Sequence, residues 1–255
     1  MIDRQVFRRT ILSSAVALAC YGHATRAFAT CSTNISTASA GACTVSGALS
    51  VTIDVNGVVT GAPAITFNSG ATGNLNNSGS IIVGSSGTAL LYSQHLAGFL
   101  NNSGTIKSVQ NSTTSASAVG VYITNDLLGT LDNSGTISAS AEANDSLASS
   151  AYAYASADAV YINADLSGQF TNSGTISASA EANASGSSSA GAYASADAVY
   201  IDGELSGQFT NSGTISASAQ ANASGSSSAG AIARADAVYI NADRKGGEKC
   251  MKPIG

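Results

Sequence analysis

The chain has 255 residues and a formal net charge of −5, with 10% charged and 6% aromatic residues, no Trp, and 44% hydrophobic residues. So thin a supply of large apolar and charged side chains excludes an ordinary packed α/β enzyme, in which about a quarter of the residues are charged. Phased Ile, Val and Phe among abundant Ala and Ser also exclude a disordered chain, whose mark is low hydrophobicity with high net charge.

Residues 1–29 read as an export signal. Arg4, Arg8 and Arg9 give a positive start, Ile11 to Cys20 is an apolar stretch too short to cross a bilayer, and Ala27-Phe28-Ala29 offers small residues for cleavage. The mature chain then carries no transmembrane segment. Losing four Arg and one Asp leaves 6 Lys and Arg against 14 Asp and Glu, a net charge of −8. That balance argues against nucleic acid and anionic membrane faces as partners. Residues 30–50 form a Ser/Thr/Gly-rich lead-in containing Cys31 and Cys43. Twelve residues apart in an exported chain, these two are expected to pair as a disulfide that closes a small loop, and a zinc site is not expected, because no His or second Cys pair lies nearby.

Val51-Thr52-Ile53-Asp54-Val55 is the first clean alternation of apolar and polar residues, and Asn56-Gly57 supplies a turn after it. One unit then recurs. Asn-Ser-Gly-(Thr/Ser)-Ile begins at Asn77, Asn102, Asn133, Asn172 and Asn211, at spacings of 25, 31, 39 and 39 residues. Val-Tyr-Ile keeps step, placing Tyr122, Tyr161, Tyr200 and Tyr239 at intervals of 39. A fixed period of this size means one supersecondary unit stacked on itself. The shortest unit offers three short strands, at 79–83, 88–92 and 97–100, which fit one triangular rung of a parallel β-helix. Later units insert 14 residues of alternating Ala and Ser, read as strand extensions or as a hairpin leaving the body.

The two-residue period puts Ile176, Ala178 and Ala180 on one face and Thr175, Ser177 and Ser179 on the other. Ile81, Ile106, Ile137, Ile176 and Ile215 are expected to stack as one inner column, and Leu75, Leu100, Leu131, Phe170 and Phe209 as another. The five repeat Asn residues are expected to form an amide ladder, with the Gly of each motif permitting the bend at the corner. After Asp243 the repeat stops. Residues 244–255 carry four cations and one anion without strand periodicity, and the tail is expected to be disordered, with the repeat broken by truncation or frameshift.

Behind an export signal, the Asn-Ser-Gly-Thr-Ile repeat joined to Val-Tyr-Ile resembles the passenger region of bacterial autotransporters over roughly residues 60–243. The resemblance implies an all-β fold, a right-handed parallel β-helix displayed on the outer surface. About five to six rungs are expected over 51–243. The family's β-barrel translocator, a series of ten-residue amphipathic strands, does not follow Asp243.

No catalytic residue, metal or cofactor is expected. His95 is the mature chain's one histidine, and neither a Gly-x-Ser-x-Gly elbow nor a metal pair accompanies it. Asp158, Asp197 and Asp236 recur with a 39-residue period, as do Asp165, Glu204 and Asp243, but without the glycine-rich nonapeptide of calcium β-rolls. They are expected in solvated turns. Between residues 30 and 243 the only cations are Lys107 and Arg234, too few for polysaccharide-lyase chemistry. Tyr122, Tyr161, Tyr200 and Tyr239 run in opposite phase to the neighbouring Val and Ile, a candidate outward binding stripe whose rival reading is ordinary strand surface. The expected role is that of an exported, non-catalytic, passenger-like protein at a bacterial surface, in the extracellular space or in the periplasm. Its partner would be a host surface, a glycan or another copy of itself. The alternative is an inert stalk from a truncated or frameshifted autotransporter whose effector part is missing.

Overall fold

The computed structural model describes residues 29–36, 41–84, 87–147 and 149–242. Except for Ala29, the expected export signal lies outside the described residues, and so does the tail 244–255. Among the described residues there is no helix. An opening partial turn holds β1 (Ala29–Thr30), β2 (Asn34–Ile35) and β3 (Cys43–Val45). Six full rungs of three strands follow. The first three are β4 (Val51–Ile53), β5 (Val58–Thr60), β6 (Ile65–Phe67); β7 (Leu75–Asn77), β8 (Ser80–Val83), β9 (Gly87–Tyr92); and β10 (Phe99–Asn102), β11 (Thr105–Ser112), β12 (Ser115–Ile123). The last three are β13 (Thr130–Asn133), β14 (Thr136–Asp145), β15 (Ser150–Ile162); β16 (Gln169–Asn172), β17 (Thr175–Ser185), β18 (Ser189–Ile201); and β19 (Gln208–Asn211), β20 (Thr214–Ser224), β21 (Ser228–Ile240).

Each strand pairs in parallel with its counterparts one rung away, which builds three faces. The first face runs β2-β4-β7-β10-β13-β16-β19, the second β5-β8-β11-β14-β17-β20, and the third β1-β3-β6-β9-β12-β15-β18-β21. The chain is a right-handed parallel β-helix. It begins upstream of residue 51, because β2 already pairs with β4 and β3 with β6 inside the segment read as a lead-in. Cys31 and Cys43 are bonded there, with their Cα atoms 4.9 Å apart.

The core is a set of columns. Val59, Ile81, Ile106, Ile137, Ile176 and Ile215 stand in direct register along the second face. Val51, Leu75, Leu100, Leu131, Phe170 and Phe209 do the same on the first, with the two Phe rings stacked at 4.8 Å. A third column, Leu96, Leu127, Leu166 and Leu205, is joined by isolated bridges between the faces. Each such side chain, fully removed from water, contributes about 2 kcal/mol.

The Ala/Ser inserts extend the strands and do not form a hairpin. β14 pairs with β17 over ten positions, and β15 with β18 from Ser150 to Ile162, without leaving their faces. Ala139, Ala141 and Ala143 turn inward from one face, and Ala151, Ala153 and Ala155 from the other. The two faces thus close on one another as a thin lobe lined by methyl groups. A buried methyl contributes only about 0.8 kcal/mol, so the lobe depends on its backbone ladder more than the triangular body does. The lobe also widens along the axis: second-face strands lengthen from 3 residues in β5 to 11 in β20.

The motif glycine has a different cause from the one expected. Among the described residues positive φ occurs at Gly47, Gly61, Gly70 and Gly87; Gly70 closes a separate Asn68-Ser69-Gly70, and none of the four belongs to an Asn-Ser-Gly-(Thr/Ser)-Ile repeat. A Cβ on Gly135 would instead collide with the carbonyl oxygen of Gly104, and one on Gly174 with that of Gly135. Successive corners lie too close together for any side chain.

Candidate binding surface

The repeat asparagines line the inside of a corner. Asn77 Nδ2 donates to Asn102 Oδ1 at 2.7 Å, and bonds of the same length join Asn102 to Asn133, Asn133 to Asn172 and Asn172 to Asn211. Each donor also faces a Thr carbonyl of the next rung, at 3.2 Å for Asn77 and Asn102 and 3.3 Å for Asn133 and Asn172. All but Asn211 in the terminal rung are buried, so the ladder is a spine and offers nothing to a ligand. At its lower end Asn77 Oδ1 has no hydrogen-bond partner among the described residues, because Ile53 occupies that position one rung below.

The tyrosine column differs from the expected exposed stripe. Tyr161 and Tyr200 are only 6% and 5% exposed. Their burial follows from a break in the third face. Ala157, Ala159, Val160 and Ile162 all lie in the core, so two successive residues, Ala159 and Val160, are both buried and strict alternation fails there. The break leaves Asp158 and Tyr161 close together on the outer side, and the next rung repeats it at Asp197 and Tyr200. The rings stack rung on rung: Tyr161 and Tyr200 are 4.8 Å apart at 11°, and Tyr200 and Tyr239 are 5.1 Å apart at 24°. Tyr122 is tilted by 52° to Tyr161. Faces stacked on their neighbours, as those between Tyr161 and Tyr200 are, cannot receive a sugar ring. At the end of the stack the Arg234 guanidinium lies 4.5 Å from the Tyr239 ring centre and is bonded to Asp236.

The recurring carboxylates divide into two kinds. Asp158 and Asp197 were expected in solvated turns, yet they lie within strands and are buried beside the tyrosines. Burial, aided by Tyr200, Asp202, Tyr122 and Asp158, pushes the Tyr161 phenol well above its ordinary range, and burial with Asp158 and Asp202 raises that of Tyr122. Asp165 sits in a loop, where its Oδ1 accepts the Glu204 backbone N–H at 2.8 Å, just as Asp126 accepts that of Asp165 at 3.1 Å. His95 lies 3.1 Å from Asp126 in the neighbouring loop. Among the described residues no group of three His, Cys, Asp or Glu side chains is arranged to hold a metal, and no helix is long and apolar enough to cross a membrane.

The surface best suited to contact is the outside of the second face. Ser138, Ser177 and Ser216 stand in register, as do Ser140, Ser179 and Ser218, followed by Glu142, Glu181 and Gln220, then Asn144, Asn183 and Asn222. The last row is itself bonded, Asn183 to Asn144 at 2.9 Å and Asn222 to Asn183 at 2.8 Å. Rungs repeat about every 4.8 Å and same-face residues about every 6.8 Å along a strand, so this is a regular grid of hydroxyls, carboxylates and amides. The sequence reading singled out the tyrosines and passed over the grid, although the Ser-Ala alternation marked it. No known protein family, curated protein or solved structure matches this chain, so its likeness to autotransporter passengers rests on the repeat motifs alone.

Proposed function

We propose that the chain is an exported, non-catalytic, passenger-like rod that acts by adhesion or self-association at a bacterial surface. The observation that carries this reading is the grid on the second face, where rows of Ser and Asn, with a Glu-Glu-Gln row between them, recur in strict register over three rungs. Contacts that are weak singly sum when a rigid scaffold presents many at once. The Cys31–Cys43 bond supports an oxidising compartment. Beads coated with the exported chain should clump or bind host cells. Replacing Ser138, Ser140, Ser177 and Ser179 together by Glu should weaken that binding at least tenfold while the far-ultraviolet β-spectrum is kept. Beads that neither clump nor bind sink the adhesion reading; undiminished binding by the variant removes the grid from it.

A further inference from the structure

We propose that Gln110 and Asp145 are edge guards: each seals an unpaired strand edge that the widening of the lobe leaves bare, and so bars a foreign strand from adding there. The repeat lengthens twice, and each lengthening makes a ledge. β11 pairs with β8 as far as Ser108 and β12 pairs with β9 from Ala118, so residues 109–117 overhang the rung below. β14 pairs with β11 as far as Ala143 and β15 pairs with β12 from Tyr154, so residues 144–153 overhang in their turn. This second ledge lies in the middle of the solenoid. Described chain runs above it and beneath it, where only Thr113 and Thr114 join Ser112 to Ser115, too few residues to reach under the overhang.

A bare edge presents backbone groups on which another strand can form. Tyr154 sends its N–H downward, to the Thr114 carbonyl at 2.8 Å. Strand alternation turns the N–H of Tyr152 the same way, toward a level at which the rung below has already ended. Asp145 takes it instead. From across the lobe its Oδ2 accepts the Tyr152 N–H at 2.8 Å, and its Oδ1 accepts that of Leu147 at 3.1 Å. The first ledge repeats the arrangement, with Gln110 Oε1 accepting the Ser117 N–H at 2.7 Å. In both, the acceptor stands seven residues before the strand donor that it covers.

The register supplies an internal control. Gln110 and Asp145 stand at inward positions, where the lobe is otherwise lined by methyl groups. In register above Gln110 come Ala141, Ala180 and Ala219, and above Asp145 come Ala184 and Ala223. Each of those alanines has a full strand beneath it. A polar side chain thus stands at each step, and alanine replaces it as soon as the rung below covers the edge. Ser108 marks the first step as well: it is in register with Ala139, and it donates across the lobe to the Gly87 carbonyl at 2.6 Å. A strand entering the second ledge would claim the Tyr152 N–H and leave the Asp145 carboxylate, only 5% exposed, short of a donor in the interior. That loss opposes entry.

A fluorescent peptide copying residues 214–224 serves as the foreign strand. Asp145→Ala installs the residue found in the two rungs above, so the β-spectrum should be kept. In that variant the Tyr152 amide should exchange about 100-fold faster than in the native chain. Peptide should bind the variant about tenfold more tightly than the native chain, and saturation with it should return the Tyr152 amide to slow exchange. Exchange at the native rate would show that Asp145 does not seal the edge. Fast exchange that the peptide leaves unslowed would show a tie within the lobe and no guard, and either result overturns the proposal. Should Asp145→Ala unfold the lobe, Gln110→Ala decides by the same two readings at the Ser117 amide. Each reading is made against the native chain at a named amide, so failure of the adhesion reading leaves it untouched.

Discussion

Asn133→Ala removes the middle of the amide ladder. In the native chain Asn133 accepts from Asn102 and donates to Asn172, both at 2.7 Å. The substitution leaves Asn172 Oδ1 without its ladder donor in the interior, and an orphaned buried acceptor costs about 2 kcal/mol. Asn102 loses less, because its Nδ2 keeps the carbonyls of Thr136 at 3.2 Å and Gly104 at 3.4 Å, so its share is about 1 kcal/mol. The sum is about 3 kcal/mol. Asn77→Ala provides the control: it also orphans an acceptor, Asn102 Oδ1, but it removes the unpartnered oxygen of Asn77 itself. Those effects oppose each other, and the net cost should be about 1 kcal/mol. Urea unfolding followed by far-ultraviolet dichroism compares the variants. Hydrogen exchange of amides in the neighbouring rungs guards against loss of two-state behaviour in a repeat array. Equal losses in the two variants, or an Asn133→Ala midpoint indistinguishable from wild type, would refute the argument.

Ile176→Asp puts a charge into a fully buried apolar column and should cost about 4 kcal/mol or more, whereas Thr175→Asp, on the outer side, should cost about 0.5 kcal/mol. Equal melting temperatures for the two would overturn the face assignment. Gly135→Ala drives a methyl into the Gly104 carbonyl and should destabilise by about 3 kcal/mol; unchanged thermal unfolding would show that the corners are looser than described. Burial raises the phenols of Tyr92 and Tyr161, so the stability that they contribute is complete below the ordinary value of about 10 and is lost as pH rises beyond it. Absorbance titration should show these phenols ionising only as the β-spectrum collapses. Ionisation of every tyrosine near pH 10 with the fold intact would contradict their burial.

Much of the fold was legible because a parallel solenoid repeats its instructions. Asn, Ile and Leu or Phe each recur at a fixed offset, and residues at one offset must stack. The tyrosines were misread because alternation alone assigns them outward, and outward was equated with exposed. The break between Ala159 and Val160, which tucks Tyr161 and Asp158 against the body, leaves no mark in a run of Asp-Ala-Val-Tyr-Ile. The motif glycine was assigned to backbone conformation, since a single sequence does not reveal how closely successive corners approach. The Leu96 to Leu205 column went unseen for a simpler reason: each member is one residue in a loop, without the alternating context that marks a strand.

The methyl-lined lobe has an evolutionary consequence. Its walls are uniform, so nothing in them fixes their length, provided that each residue keeps its parity. Duplication or loss of Ala-Ser pairs slides the tip outward or inward without disturbing the body, whereas gain of a single residue would turn every methyl beyond it to water and every hydroxyl to the interior. The repeat spacings of 25, 31 and 39 differ by even numbers, as such drift requires. Width is therefore the dimension in which this molecule can vary most freely, by slippage within a low-complexity tract, while the corner motifs hold every rung to the same triangular frame.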